Sequence, residues 1–118
     1  MAAQDPHAQL PLTPVVLHIL LALADERNGK HGYAVAREVE ELTDGQINMG
    51  PGTLYGSIQR MLDADLIEER RVTRADDDER RRYYRLTTLG TAVAKAEAAR
   101  LMDLVRMARA RGLAPRKG

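Results

Sequence analysis

The 118-residue sequence has no cysteine, no tryptophan and no phenylalanine. Without cysteine there is neither a disulfide framework nor a thiolate metal site, which suits a reducing compartment. With four tyrosines as the only aromatic residues, the core must be aliphatic. Long apolar runs are missing too. The longest, Val15 to Ala24, is interrupted by His18 and is too short to cross a bilayer. The start of the chain lacks the basic-then-apolar layout of a signal peptide. His7, His18 and His31 are widely separated and show no metal-ligand pairing. The acidic run Asp76-Asp77-Asp78-Glu79 lacks the alternating spacing and glycine of a calcium loop. No nucleophile–base set and no phosphate-binding glycine loop in a βαβ context is present. The expectation is a cytoplasmic protein that is not an enzyme, with no membrane association and no cofactor.

What is present is a chain 44% hydrophobic and 30% charged, enough apolar residues for one folded domain with a modest core. Its net charge of +1 conceals an uneven distribution. Residues 1–79 hold 7 basic and 15 acidic side chains, a balance of −8, while residues 80–118 hold 11 and 2, a balance of +9. Such asymmetry fits a nucleic acid or other anionic partner, or a long exposed helix kept soluble by arginine.

Residues 1–12 read as a flexible N-terminal arm. Thr13-Pro14 is a helix start, a hydroxyl cap followed by proline at the first helical position. The helix it opens, 14–25, is apolar almost all round, as a central buried helix is. His18, within it, reads as a satisfied core or interface histidine. Asn28 to Gly32 breaks it, and a second helix over 32–43 is expected to turn Tyr33, Val35, Ala36, Val39 and Leu42 inward and Arg37, Glu38, Glu40 and Glu41 outward. A third helix, 51–64, carries Leu54, Ile58, Met61 and Leu62 at helical spacing. The period then changes. Residues 67–73 and 82–86 read as two strands joined by a charged connector, Arg74 to Arg81, which makes a hairpin. Thr87 caps a last helix running to Arg111. Three helices followed by a hairpin is the order of a winged helix-turn-helix domain, so the expected fold is mainly α with a small β-hairpin. Its divisions are a DNA-binding domain over 13–86, a dimerisation helix over 87–112 and a basic tail over 113–118.

Three stretches carry a closer resemblance: "HGYAVAREVEELT" (31–43), "GPGTLYGSIQRMLDADLIEE" (50–69) and "DERRRYYRLTTLG" (78–90). In this order and spacing the chain resembles the PadR family of transcriptional regulators. The resemblance implies a dimeric winged-helix repressor whose subunits are held together by C-terminal helix. A single such helix implies the short subtype of the family, without a large effector domain.

The third helix opens with Gly50, Pro51 and Gly52, an unencumbered backbone whose free N–H groups suit phosphate oxygens. Thr53, Tyr55, Gly56 and Ser57 add short donors, acceptors and one ring able to meet base edges, phosphates or a thymine methyl. Arg60 lies farther along, in reach of phosphate or simply solvated. Lys30 and His31, at the start of the second helix, are phosphate candidates or merely loop residues. Tyr33 is a further DNA-binding candidate, although it, Tyr83 and Tyr84 also suit core packing. In the wing, Arg81 and Arg82 are the candidates for phosphate or a narrow minor groove. The acidic tip is expected to swing away or to fold against its own arginines, with Arg81 and Arg82 nearer the DNA.

The last helix repeats Ala94, Ala98, Leu101, Val105 and Ala108 at heptad-like intervals, widened by Leu104, and this stripe is the candidate dimer interface. The partners expected are double-stranded DNA, a second copy of the chain and an unidentified small-molecule effector. The alternative function is a winged-helix module that binds protein without specific DNA recognition.

Overall fold

In the computed structural model, which describes residues 5–24, 28–72 and 81–115, Thr13 and Pro14 open the first helix as their chemistry requires. Helix α1 (Pro14–Leu23) is capped by the Thr13 hydroxyl, which accepts the Val16 N–H at 3.2 Å. Ile19, Leu20, Ala22 and Leu23 are buried, which makes α1 the central element. It ends two residues before the expected boundary. The His18 ring meets the Pro14 carbonyl at 2.6 Å and so is satisfied within its own helix.

Lys30–His31 forms a two-residue strand, β1, that sequence periodicity did not reveal. His31 then caps α2 (Gly32–Leu42), its Nδ1 accepting the Ala34 N–H at 3.3 Å. The buried face of α2 is Gly32, Val35 and Val39, with Ala36 packed beside it. Tyr33 and Leu42, expected inward, are 71% and 57% exposed. Tyr33 falls out of phase with the 32–35–39 stripe. Leu42 keeps the phase but lies past the end of the core. The link to the next helix is closed by Thr43, whose hydroxyl donates to the Val39 carbonyl at 2.9 Å and accepts the Ile47 N–H at 3.0 Å. Ile47 and Met49 thereby join the core.

Helix α3 (Pro51–Asp63) buries Leu54, Ser57, Ile58 and Met61. Strands β2 (Ile67–Val72) and β3 (Arg81–Leu86) pair antiparallel, Ile67 opposite Leu86 through Val72 opposite Arg81. Strand β1 adds to the free edge of β3, Lys30 opposite Tyr84 and His31 opposite Tyr83, in the order β1-β3-β2. Tyr84 is buried, as the core reading required, whereas Tyr83 is half-buried and meets the His31 ring edge-on at 5.8 Å. Residues 73–80, the acidic run Asp76 to Glu79 among them, lie outside the described residues, and Arg81, expected in the connector, instead opens β3.

Helix α4 (Thr88–Ala110) starts where Thr87 Oγ1 accepts the Gly90 N–H at 2.9 Å. Its core face is Gly90, Val93 and Glu97. A Cβ at Gly90 would lie 1.9 Å from the Leu66 carbonyl oxygen, so only glycine lets the helix meet the turn before β2 at this distance. The first described residues also dock here. Pro6–Gln9 forms a 3-10 turn capped by Asp5, and Leu10 and Leu12 pack against the core. The Leu12 N–H donates to Glu97 Oε2 at 2.8 Å. Residues 5–12 therefore depart from the expected flexible arm, because the buried Glu97 carboxylate and the apolar floor around it give them something to bind. The whole is mostly helical with a small three-stranded antiparallel sheet, a winged helix-turn-helix arrangement followed by a C-terminal helix, in agreement with the expected fold class.

Candidate nucleic-acid interface

The exposed end of α3 is built by its amphipathic phase. Leu54, Ile58 and Met61 turn into the core, which leaves Gly50, Pro51, Gly52, Thr53 and Tyr55 on the outside. Gly50 caps the helix without a side-chain hydrogen bond, and Pro51 follows at its first position. The surface there is mostly backbone, one hydroxyl and one ring. Gly56 is half-buried. Ser57, expected on the same nose, is 1% exposed and sits on the inner face between Leu54 and Ile58. Its Oγ accepts from Arg60 Nη2 at 3.3 Å. The correction follows from phase: positions 54, 57, 58 and 61 form one stripe, whatever the chemistry of residue 57. Arg60 itself is exposed.

The residues flanking α2 divide into tied and open ones. Lys30 Nζ donates to the Ala22 carbonyl at 3.2 Å and pairs with Glu38, with 13% of its side chain exposed. It fastens the end of α1 to α2, a role in the fold. His31 is held by its cap and by Tyr83. Tyr33 and Tyr55 are open, and between them lies a cleft of about 210 Å³ floored by Ala36, Met49 and Leu54.

The wing carries the third group. The Arg82 side chain is 62% exposed, its Nε 3.6 Å from Glu69 Oε1. Arg85 Nε donates to Glu68 Oε1 at 2.6 Å. Burial pushes the Tyr84 phenol above its ordinary range, and the nearby Glu69 carboxylate adds to that. Arg81 pairs through its backbone with Val72.

On α4 the anticipated stripe splits in two. Ala94 packs on the core, Ala98 is exposed, and Leu101 and Ala108 are half-buried. Leu104 and Val105 are 44% and 42% exposed, joined by Met102 and Met107 at 69% and 57%. Those two methionines lie outside the heptad phase on which the stripe was read. Glu97 was missed as well, though its position seven residues after Gly90 marks it as core-facing. Arg100 Nε and Nη2 donate to it at 2.5 and 3.1 Å, and these bonds, with the one from Leu12, hold its carboxyl below the usual range.

Among the described residues no helix is long and apolar enough to cross a membrane. An uncharacterized protein of Lysinibacillus sphaericus is 32% identical over 74 residues, covering 63% of this chain and 66% of that protein. A PadR family transcription regulator of Clostridium difficile has a crystal structure with a TM-score of 0.70 at 23% identity, covering 82% of this chain and 96% of that one. Bacillus subtilis PadR, solved in complex with operator DNA, gives a TM-score of 0.60 at 17% identity over 73% of this chain and 47% of its own. The latter two likenesses establish the fold. Residues 19–96 match the description of the transcriptional regulator PadR-like family, well over half of the sequence, and the chain belongs to that family.

Proposed function

We propose that this PadR-like regulator is a homodimeric repressor that reads an inverted-repeat operator with the exposed end of α3. The observation that carries this reading is the division of α3: Leu54, Ile58 and Met61 are buried while Gly50, Pro51, Gly52, Thr53 and Tyr55 are outside. Small residues let a helix approach the major groove closely, and a threonine and a ring can meet base edges and a thymine methyl. Arg60, Arg81 and Arg82 would lie on phosphate, positioning the helix without reading sequence. Tyr33 stands beside Tyr55 and would meet the DNA backbone on the same face. The relative solved with its operator supports DNA as the partner class.

The dimer reading rests on the far half of α4. Leu104, Val105, Met102 and Met107 present apolar surface that the chain's own core does not cover. The radius of gyration is 16.2 Å, against about 13.5 Å for a compact chain of this length, as a protruding helix requires. A second copy packed along this helix would bury that surface and place two reading helices on one duplex. The two half-sites would then lie one or two helical turns apart.

The test is a pair of titrations, the DNA upstream of the protein's own gene and a scrambled duplex, at one fixed salt concentration. Tyr55→Ala is expected to weaken operator binding by about 1–3 kcal/mol and to leave scrambled DNA unaffected. Arg82→Ala is expected to weaken both alike. Operator affinity unchanged in Tyr55→Ala would remove α3 as the reader.

A further inference from the structure

Side chains on a helix lean toward its N-terminus, so the Tyr55 ring is carried back from α3 toward the first turn of α2. It stops against Gly32. A Cβ built on Gly32 would lie 3.0 Å from Tyr55 Oη, 3.1 Å from Cε1 and 3.2 Å from Cζ, tighter than ordinary van der Waals contact. Gly32 is buried under this contact, yet Tyr55 remains 47% exposed, so the ring bridges the two helices and still faces outward. Nothing in the backbone of Gly32 calls for glycine: it opens α2 as an ordinary helical residue and is not among the positive-φ positions. Alanine there would be the better helix former. The three atoms that a Cβ there would meet most closely all belong to the Tyr55 ring.

We infer that Gly32 is a positioning residue for DNA recognition, a seat that fixes the Tyr55 ring and through it the spacing of α2 and α3. This inference rests on the proposed reading of α3 as the element that meets base pairs. The neighbours of the seat reinforce it. His31, immediately before Gly32, is held by its cap to Ala34 and by its edge contact with Tyr83, which ties down the start of α2. Pro51 and Tyr33 line the adjoining cleft and leave the ring a direction in which to be displaced. A methyl at residue 32 would push the ring toward that cleft by a few tenths of an ångström. A base contact is weakened over such distances although the fold is not.

The experiment is a double-mutant cycle on the full chain with Gly32→Ala, Tyr55→Ala and both together, titrated against the upstream duplex and a scrambled one, with helicity followed by circular dichroism. Gly32→Ala is expected to keep its helicity, to bind scrambled DNA within about twofold of wild type and to lose about five- to tenfold on the operator, the low end of the loss expected for one full base contact. The double variant is expected to bind like Tyr55→Ala alone, because without the ring there is nothing to displace. A Gly32→Ala protein that binds the operator as wild type does, while Tyr55→Ala does not, overturns the inference and leaves α3 as the reader. Losses that add in full in the double variant overturn it as well, since Gly32 would then act independently of the ring. Should Gly32→Ala fail to fold, the double variant decides: recovery of the fold attributes the clash to Tyr55, and continued failure assigns Gly32 to the backbone.

Discussion

Ser57 and Glu97 are the buried polar side chains of the described residues, each 1% exposed, and each is satisfied differently. Ser57 needs only a neighbour on its own helix, whereas Glu97 draws donors from Arg100 and from the Leu12 backbone. Losing the Glu97 acceptor is therefore costly. Glu97→Ala is expected to lower stability by about 1–3 kcal/mol, the range for a buried donor left unpaired, and Glu97→Gln by less, because an amide oxygen still accepts from Leu12. The acid dependence has a definite sign. The folded carboxyl titrates below its unfolded value, so its contribution is complete above the ordinary glutamate range and is lost as pH falls through the folded value. Thermal melts of wild type and Glu97→Gln are expected to differ at neutral pH and to converge in acid. Ser57→Ala, by contrast, is expected to leave operator affinity within about twofold, measured in the same titrations as Tyr55→Ala. The exposed residues at the head of α3 were legible in the sequence because Gly-Pro-Gly-Thr precedes a helical pattern. Ser57 was misread because its hydroxyl was given more weight than its phase.

At the level of elements, caps and stripes carried most of the information. Thr13, Thr87 and the apolar intervals of α3 are local signals, and the structure uses each of them. Strand β1 had no such signal. Two polar residues cannot show an alternation, and their pairing with Tyr83 and Tyr84 joins segments far apart in the chain. The docking of residues 5–12 was equally hidden, since its cause is a carboxylate near the other end of the sequence. Helix α4 packs on the turn before β2 through Gly90, and this inverts a general rule. Glycine to alanine inside a helix ordinarily stabilises by about 0.5–1 kcal/mol. Gly90→Ala is expected to destabilise by about 1–3 kcal/mol, since the methyl would meet the Leu66 carbonyl, a backbone atom with no alternative rotamer. Chemical denaturation reads the sign directly: a midpoint equal to or above that of wild type would contradict the packing described.

For the molecule as a whole, the proposed dimer and the charge distribution make two measurable statements. Replacing Leu101 and Val105 with aspartate is expected to give a monomer in sedimentation at micromolar concentration, where wild type sediments as a dimer. Affinity for DNA is expected to fall with salt at a log–log slope of roughly −4 to −8, as several phosphate contacts per subunit require. A slope near zero would reduce the arginines to solubilising groups. The bond from Leu12 to Glu97 has a further consequence, in the order of events during synthesis. The chain leaves the ribosome from its N-terminus, at about 5–20 residues per second, and the two partners stand 85 residues apart. Leu10 and Leu12 thus emerge early and wait several seconds for the helix that receives them. A nascent chain stalled before α4 would keep these leucines without the helix that receives them, as a substrate for chaperones until α4 arrives and shuts the clasp.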